Sequence, residues 1–474
     1  MSIKRSTIMC HQLRFTLKHF NYFLILLFFG MPCVVTAEIH SPWEMEGVNE
    51  RIKKIRTGPT KLHFVNTNGS RINQQLPVKI NLKKHAFQFG VGMGQSWALY
   101  GERNFEQYRN YMGEVFNLVA LGFQWSWIEK KRGKVEKIEH IENNLKWAKA
   151  REINIKGMPL LWHNAIPRWM DASFQAKEIE PLISKRIRYL LSEYPEIKTW
   201  NLYNEAVGAE KKFVKNNPIA NWLKSKGGPA AAQAWVSQIA HQTASNRIYV
   251  NNHYSHRDPE FKKMNHELLR LGTQFDAVGI QTHMHTKKSR LSQSELWKLL
   301  EDYTVFSKPI HLTEISVPSS PPFNSWRDFQ PHVESLKNAS PKKNRLKIAR
   351  KSDKKLEIYQ AEYLRDFYTL AFSHPKVEAL IYWSGSDLYE WRGTAAGLLD
   401  VKHNPKPAYK VLRDLIKKKW HTNMNDFTDE TGTISFSGFY GEYIGKVKLN
   451  GIEQSFTFDH TPGMVAPHII KLSY

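Results

Sequence analysis

The sequence predicts an α/β fold: a (β/α)8 TIM barrel flanked by small β-rich extensions at both ends. Three observations predict it. Eight short apolar runs lie between residues 87 and 383, helix-period segments separate them, and polar residues gather where the runs end. Alternating β and α elements imply a parallel sheet, and eight such units imply a closed barrel. An open, doubly wound sheet is the alternative, but no glycine-rich phosphate loop follows the first run.

Residues 1–37 are expected to be a cleaved secretory signal. Lys4, Arg5, Arg14 and Lys18 give a basic start, Phe20 to Phe29 an apolar stretch, and Val35-Thr36-Ala37 a small-residue cleavage site. An uncleaved membrane anchor is the rival, but the apolar stretch is short for a span. The mature chain is therefore expected to be secreted or periplasmic, with no stable membrane anchor. Both cysteines, Cys10 and Cys33, lie in this segment, so disulfides and thiolate chemistry are excluded from the mature protein. The formal net charge is +24, and loss of the four basic residues leaves it strongly positive. Such a charge suits acidic polysaccharide or an anionic surface, or serves only solvation. Zinc-finger spacing and RNA-binding aromatic motifs are lacking, which argues against nucleic acid.

Residues 38–86 are expected to form a β extension. Lys61 to Leu82 alternates apolar and polar residues, with Asn68-Gly69 as a hairpin turn. Residues 87–420 hold the barrel. Its runs are Phe87–Val91, Leu118–Phe123, Ile155–Leu161, Thr199–Tyr203, Ile248–Asn251, Ala277–Gln281, Ile310–Thr313 and Ala379–Trp383. Helical spacing marks Ile141–Arg151, Ile179–Leu191, Phe261–Leu271, Leu296–Phe306 and Leu356–Phe372. Pro318 to Lys355, rich in Pro, Ser, Lys and Arg, reads as a long loop after the seventh run. Residues 421–474 revert to strand-like alternation, with a second hairpin at Asn450-Gly451.

In such a barrel the C-terminal ends of the strands share one face, where active sites sit. The third run ends at Trp162-His163, the fourth leads into Asn204-Glu205, and the sixth ends at Gln281-Thr282-His283. The seventh ends at Thr313-Glu314, and the eighth at Trp383, with Asp387 and Trp391 beyond. A single Glu or His at a strand end is usually only solvated or structural; five such ends together point to a site. Two carboxylates on one rim suit glycoside hydrolysis, one donating a proton to the leaving oxygen and the other attacking or activating water. Indoles stack on sugar rings. Trp383 and Trp391 suit that role, whereas Trp169 and Trp200 suit core packing. His283 with His285, and His253 with His256, lack a third partner at convincing spacing, so no metal is expected. No cofactor is expected, and no Gly-x-Ser-x-Gly elbow occurs.

Taken in order, Trp162-His163 with Pro167 and Trp169, Trp200 to Glu205, Gln281-Thr282-His283, Thr313-Glu314, Gln360-Ala361, Ser373-His374-Pro375, Trp383 with Asp387, and Lys406-Pro407-Ala408-Tyr409 resemble glycoside hydrolase family 10. The resemblance covers about Phe87 to Lys419. It implies a (β/α)8 fold and retaining hydrolysis of β-1,4-xylan, with Glu205 as acid/base and Glu314 as nucleophile. It places His163, Asn204, Gln281 and His283 around the sugar at the cleavage point, and Trp383 and Trp391 over the glycone side. The expected partner is a polysaccharide, xylan or a related β-glycan, met by a monomer.

The departures are specific. Family members usually carry Glu-Asn and then a Lys before a Trp at the end of the second strand, and here those positions are Ala120, Leu121 and Gln124. Ser316 stands where an Asp usually orients the histidine matched by His283, and His253 replaces an Asp. Two other readings follow. One is a carbohydrate-binding protein that has lost or altered catalysis. The other is a glycanase for an acidic polysaccharide, favoured by the basic stretch Lys342–Lys355.

Overall fold

The computed structural model describes residues 45–211, 214, 216–339 and 344–473. The expected signal, with Cys10 and Cys33, lies outside the described residues. Among the described residues no helix is long and apolar enough to cross a membrane.

Two short sheets precede and follow the barrel in sequence. β1 (Thr57–Asn66) and β2 (Pro77–His85) come first, and β11 (Asn423–Phe427), β12 (Thr433–Phe439), β13 (Gly441–Leu449), β14 (Ile452–His460) and β15 (His468–Leu472) come last. They interleave: one sheet has the order β12-β1-β15 and the other β11-β2-β13-β14. The two ends of the chain thus share one β structure. Alternation in β13 buries Tyr443, Val447 and Leu449, which pack with Leu62, Phe64, Val78, Ile80 and Phe456. Asn450 and Gly451, at φ 51° and 84°, close the β13–β14 hairpin, the left-handed pair that a tight two-residue turn requires.

The hairpin expected at Asn68-Gly69 is corrected. A turn forms there, but it closes only the Val65–Arg71 bridge. β1 and β2 then join different sheets, because their apolar faces pack toward each other across a shared core instead of lying side by side.

The barrel is closed, in the order β10-β3-β4-β5-β6-β7-β8-β9. Its strands are β3 (Gln88–Gly92), β4 (Leu118–Gly122), β5 (Asn154–Met158), β6 (Thr199–Asn201), β7 (Ile248–His253), β8 (Ala277–His283), β9 (Ile310–Ser316) and β10 (Val377–Tyr382). Each matches one of the eight runs. Outward residues such as Phe89, Val119, Leu121, Ile280, Leu312 and Leu380 pack with the surrounding helices. Burying each such side chain contributes about 1.5–3 kcal/mol. Inside the barrel Leu118, Ala120, Met158 and Ile381 form a separate apolar cluster beneath Trp383.

Pro318 to Lys355 is also corrected: it is more than a loop. It carries a helix, Trp326–Asn338, started by Ser325, whose hydroxyl accepts the Asp328 N–H while the Asp328 carboxylate accepts from Ser325. This capping pair overrides the flanking prolines.

Candidate active site

The two glutamates reach the barrel mouth through different backbone irregularities. Glu205 follows β6 at φ 61°, a left-handed conformation rare for a residue with a side chain and costing about 1–3 kcal/mol. Its N–H donates to Asn252 O at 3.0 Å, and the Asn204 N–H donates to Leu161 O at 2.8 Å, so β7 and the segment after β5 hold the turn from both sides. Glu314 sits at a bulge. The pairing of β9 shifts by one residue against both β8 and β10 between Leu312 and Ile315. The extra residue lets successive side chains, Thr313 and Glu314, both engage inward partners.

Gln281 links the two glutamates. Gln281 is the register partner of Glu314, and its Nε2 donates to Glu205 Oε1 at 3.0 Å. Trp162 Nε1 donates to Glu205 Oε2, also at 3.0 Å. Glu314 Oε2 lies 3.1 Å from His283 Nε2. Asn252 Nδ2 donates to Asn204 Oδ1 at 2.7 Å, and Thr313 Oγ1 donates to Asn252 Oδ1 at 2.5 Å. Asn252 therefore fixes the Asn204 amide with its donor end free to turn toward a ligand.

Burial raises the pKa of both glutamates. For Glu205 burial is the largest cause and the charge of Glu314 the next, offset by the bonds from Gln281 and Trp162. Glu314 is pushed up to about 8 by burial, against the pull of the Lys156 ammonium and the Arg392 guanidinium. Burial thus disfavours the anion at both positions, and a charge on Glu314 further disfavours one on Glu205.

Every candidate site residue named from the sequence lies among the described residues. His163 is buried, its imidazole held down to about 4 by burial, and its ring meets Tyr203 edge-on at 6.0 Å. Trp391 lies 5.0 Å from the His283 ring, and Trp383 lies 6.5 Å from it, edge-on. Trp169 and Trp200 pack in the core: Trp169 donates to Glu129 O, and Trp200 lies tilted against Phe123 at 5.1 Å. Asp387 is a structural residue. It pairs with Lys406 at 3.2 Å and accepts the Gly397 N–H, which explains why the two motifs occur together.

The departures also have physical readouts. Ala120 lies in the apolar cluster inside the barrel, and Leu121 faces the outer core. Gln124 is half-buried, with an Oε1 that has no hydrogen-bond partner. Ser316 still contacts His283, its Oγ lying 2.7 Å from Nδ1. His253 pairs with Asp258 at 3.3 Å and stacks on Phe261.

Two cations near Glu314 escaped the sequence reading. Lys156, on β5, is 1 % exposed, and its Nζ has no hydrogen-bond partner. Burial brings its ammonium down to about 7 against the pull of Glu314. The signal was there: a lysine between Ile155 and Gly157 in an apolar run. Arg392 stacks 3.9 Å from the Trp391 ring centre and 5.2 Å from that of Trp326, on the inserted helix. Of the basic stretch at residues 342–355, Arg345 donates to the carbonyls of Leu336 and Trp391, and Arg350 to that of Pro321. These arginines brace the inserted segment, which weakens the acidic-glycan reading.

The family model of glycosyl hydrolase family 10 matches residues 80–415. The chain is 23% identical over 363 residues to endo-1,4-beta-xylanase B of Thermotoga neapolitana, covering 73% of this chain and 93% of that protein. It is 26% identical over 314 residues to endo-1,4-beta-xylanase A of Caldicellulosiruptor saccharolyticus, covering 62% and 84%. Among solved structures, native xylanase 10B from Thermotoga maritima superposes with a TM-score of 0.53 at 20% identity, covering 70% of this chain and 96% of that one. That likeness shows the barrel fold.

Proposed function

The chain belongs to glycosyl hydrolase family 10, and from this premise we propose that it cleaves β-1,4-xylan or a related β-glycan with retention, using Glu205 as acid/base and Glu314 as nucleophile. The observation that carries the assignment is that Gln281, whose side chain bonds the Glu205 carboxyl, pairs in register with Glu314, while each carboxyl keeps its own set of partners. Glu205 accepts from Trp162 and Gln281, is raised by burial and by its neighbour's charge, and holds the proton that the departing oxygen needs. Glu314, facing Lys156 and Arg392, takes the negative charge and attacks the anomeric carbon.

Covalent attachment removes the charge of Glu314. The Coulomb cause that raises Glu205 then disappears, its proton leaves more readily, and it activates water for the second displacement. Asn204, His163, Gln281 and His283 surround the sugar at the cleavage point, with Trp383 and Trp391 over the glycone side. The chain meets its polysaccharide outside the cytoplasm as a monomer, with the barrel at 87–420 and β extensions at 38–86 and 421–474. Intact partners on both carboxyls favour turnover over a binding protein without catalysis.

Glu314→Ala tests the assignment. Hydrolysis of an aryl β-xyloside should fall on the order of 10⁴-fold or more. Azide should restore it, giving a product of inverted configuration. Undiminished hydrolysis by the variant would remove Glu314 from the mechanism.

A further inference from the structure

A line of buried side chains leads away from Glu314, and the two-carboxylate reaction does not account for it. Glu314 Oε2 is 3.1 Å from His283 Nε2, His283 Nδ1 is 2.7 Å from Ser316 Oγ, and Ser316 Oγ is 3.0 Å from His285 Nε2. His285 Nδ1 is 2.9 Å from Thr394 Oγ1, which lies 3.2 Å from Glu390 Oε2. Ser316, His285, Thr394 and Glu390 are all buried. Ser316, which replaces the family's usual Asp, is the link that lets the line continue past His283.

Counting hydrogens constrains this line. Burial holds both imidazoles far below their ordinary pKa, so each is neutral and carries one N–H. Two rings and two hydroxyls bring four hydrogens to five hydrogen bonds. The fifth hydrogen has to come from a carboxyl at one end, and leaving a buried link unmade is costly. Two complete arrangements exist. In one, Glu314 is protonated and donates to His283, and every bond points toward a charged Glu390. In the other, Glu390 is protonated and every bond points toward a charged Glu314.

We propose that Glu390 is a positioning residue that exchanges a proton with Glu314 through His283, Ser316, His285 and Thr394, so that Glu314 becomes charged as Glu390 becomes neutral. The inference rests on the nucleophile role proposed above. In the exchange Glu314 gives its proton to His283 Nε2, and the His283 Nδ1 proton passes to Ser316 Oγ. The Ser316 proton passes to His285 Nε2, the His285 Nδ1 proton to Thr394 Oγ1, and the Thr394 proton to Glu390. Five protons each move across one link, the net transfer is one proton from Glu314 to Glu390, and each intermediate group ends neutral.

Other groups bias the balance. Lys156 on β5, Arg392 after β10 and Glu205 after β6 act on Glu314. The Arg392 and Thr394 N–H groups and the Ser384 hydroxyl donate to Glu390, and Arg345, Arg392 and Asp387 act on it at longer range.

Glu390→Gln tests the relay. An amide at this position donates to Thr394 without needing a proton, which fixes the arrangement that charges Glu314. The acidic limb of kcat/KM on a neutral aryl β-xyloside should move down by about one pH unit. In a Ser316→Ala background the relay is cut, and the same substitution should barely move the limb. A shift of equal size in both backgrounds means a through-space charge effect and overturns the proposal, as does an unmoved limb. Thr394→Val removes the last hydroxyl and should shift the limb in the same direction; it serves if Glu390→Gln does not fold. The 13C signal of the Glu314 carboxyl reports this titration without turnover. An inactive chain would therefore sink the proposed function, while the relay would still be judged by that signal.

Discussion

Between β6 and β9 the barrel mouth is lined by side chains that bond one another, whereas deeper inside, beneath Trp383, residues of β4, β5 and β10 form an apolar cluster. On the first side Glu205, Gln281, Glu314, His283, Ser316, Asn252 and Asn204 all have partners at 2.5–3.1 Å. On the second, Leu118, Ala120, Met158 and Ile381 pack under Trp383, and the Gln124 Oε1 is unpartnered. The contrast separates two demands. Bond cleavage needs groups held before the substrate arrives, so their bonds are internal and complete. Grip on the glycone needs polar groups that wait for a ligand, and this chain has given most of them up.

The largest test of that contrast removes the acid. Glu205→Gln should lower kcat on a poor leaving group by about 10²–10⁴-fold. The loss should shrink sharply on an activated aryl glycoside, whose departing oxygen needs little help. A loss of equal size on both substrates would take Glu205 out of the acid role.

A smaller effect is expected from below the site. Lys156→Met removes the buried ammonium that pulls against the burial of Glu314. Glu314 should then ionise less readily, and kcat/KM at pH 6 should fall by about 10- to 100-fold, one to two pKa units' worth. The loss should narrow as pH rises toward about 10, where Glu314 is charged in either protein. A loss independent of pH would mean that Lys156 acts only through packing. The unmodified chain carries a related signature. A Glu314 raised to about 8 has to lose its proton before attack, so its kcat/KM should still be climbing between pH 6 and 7.

The same carboxyl affects stability. Its folded pKa lies above the unfolded value, so the folded state binds the extra proton, and stability falls as pH rises from about 4.5 to about 8. Glu314→Gln keeps the shape and removes the ionisation. At pH 8 it should unfold at higher temperature than the parent, by about 1–3 kcal/mol of stability, with the gain vanishing near pH 4. Melting curves at the two pH values check the sign.

The polar half was far easier to find in the sequence than the network behind it. The eight runs are apolar enough to be counted, and the catalytic face follows from where they end. Glu205 and Glu314 stand at such ends beside Asn204 and Thr313. Glu390 and Thr394 lie in a loop after β10, and His285 is two residues past the end of β8; only the fold brings them within 3.2 Å of each other and of Ser316. Lys156 was readable in principle, because a lysine inside an apolar strand must be explained. The β1–β2 turn misled because local turn chemistry fixes the reversal of the chain but not which sheet each strand enters. The inserted helix was obscured by prolines, although Ser325 and Asp328 stood at capping spacing.

The apolar half gives the smallest effects and the sharpest distinction between its members. Ala120→Glu restores the family's usual acid among Leu118, Met158 and Ile381, beside Lys156, the register partner of residue 120, whose Nζ has no hydrogen-bond partner. The new carboxylate can pair with that buried ammonium instead of a sugar, so this variant should keep its stability without gaining affinity. Gln124 is different. It is half-buried just beyond β4, and its Oε1 has no bond to lose. Gln124→Lys therefore adds a donor that a sugar hydroxyl can accept from, worth about 0.5–1.5 kcal/mol, or up to about tenfold in affinity. KM for xylo-oligosaccharides should fall while kcat stays level, and an aryl monoxyloside, which does not extend that far, should be unaffected. If Ala120→Glu improved KM and Gln124→Lys did not, the glycone would lie deeper in the barrel than this division of the mouth allows.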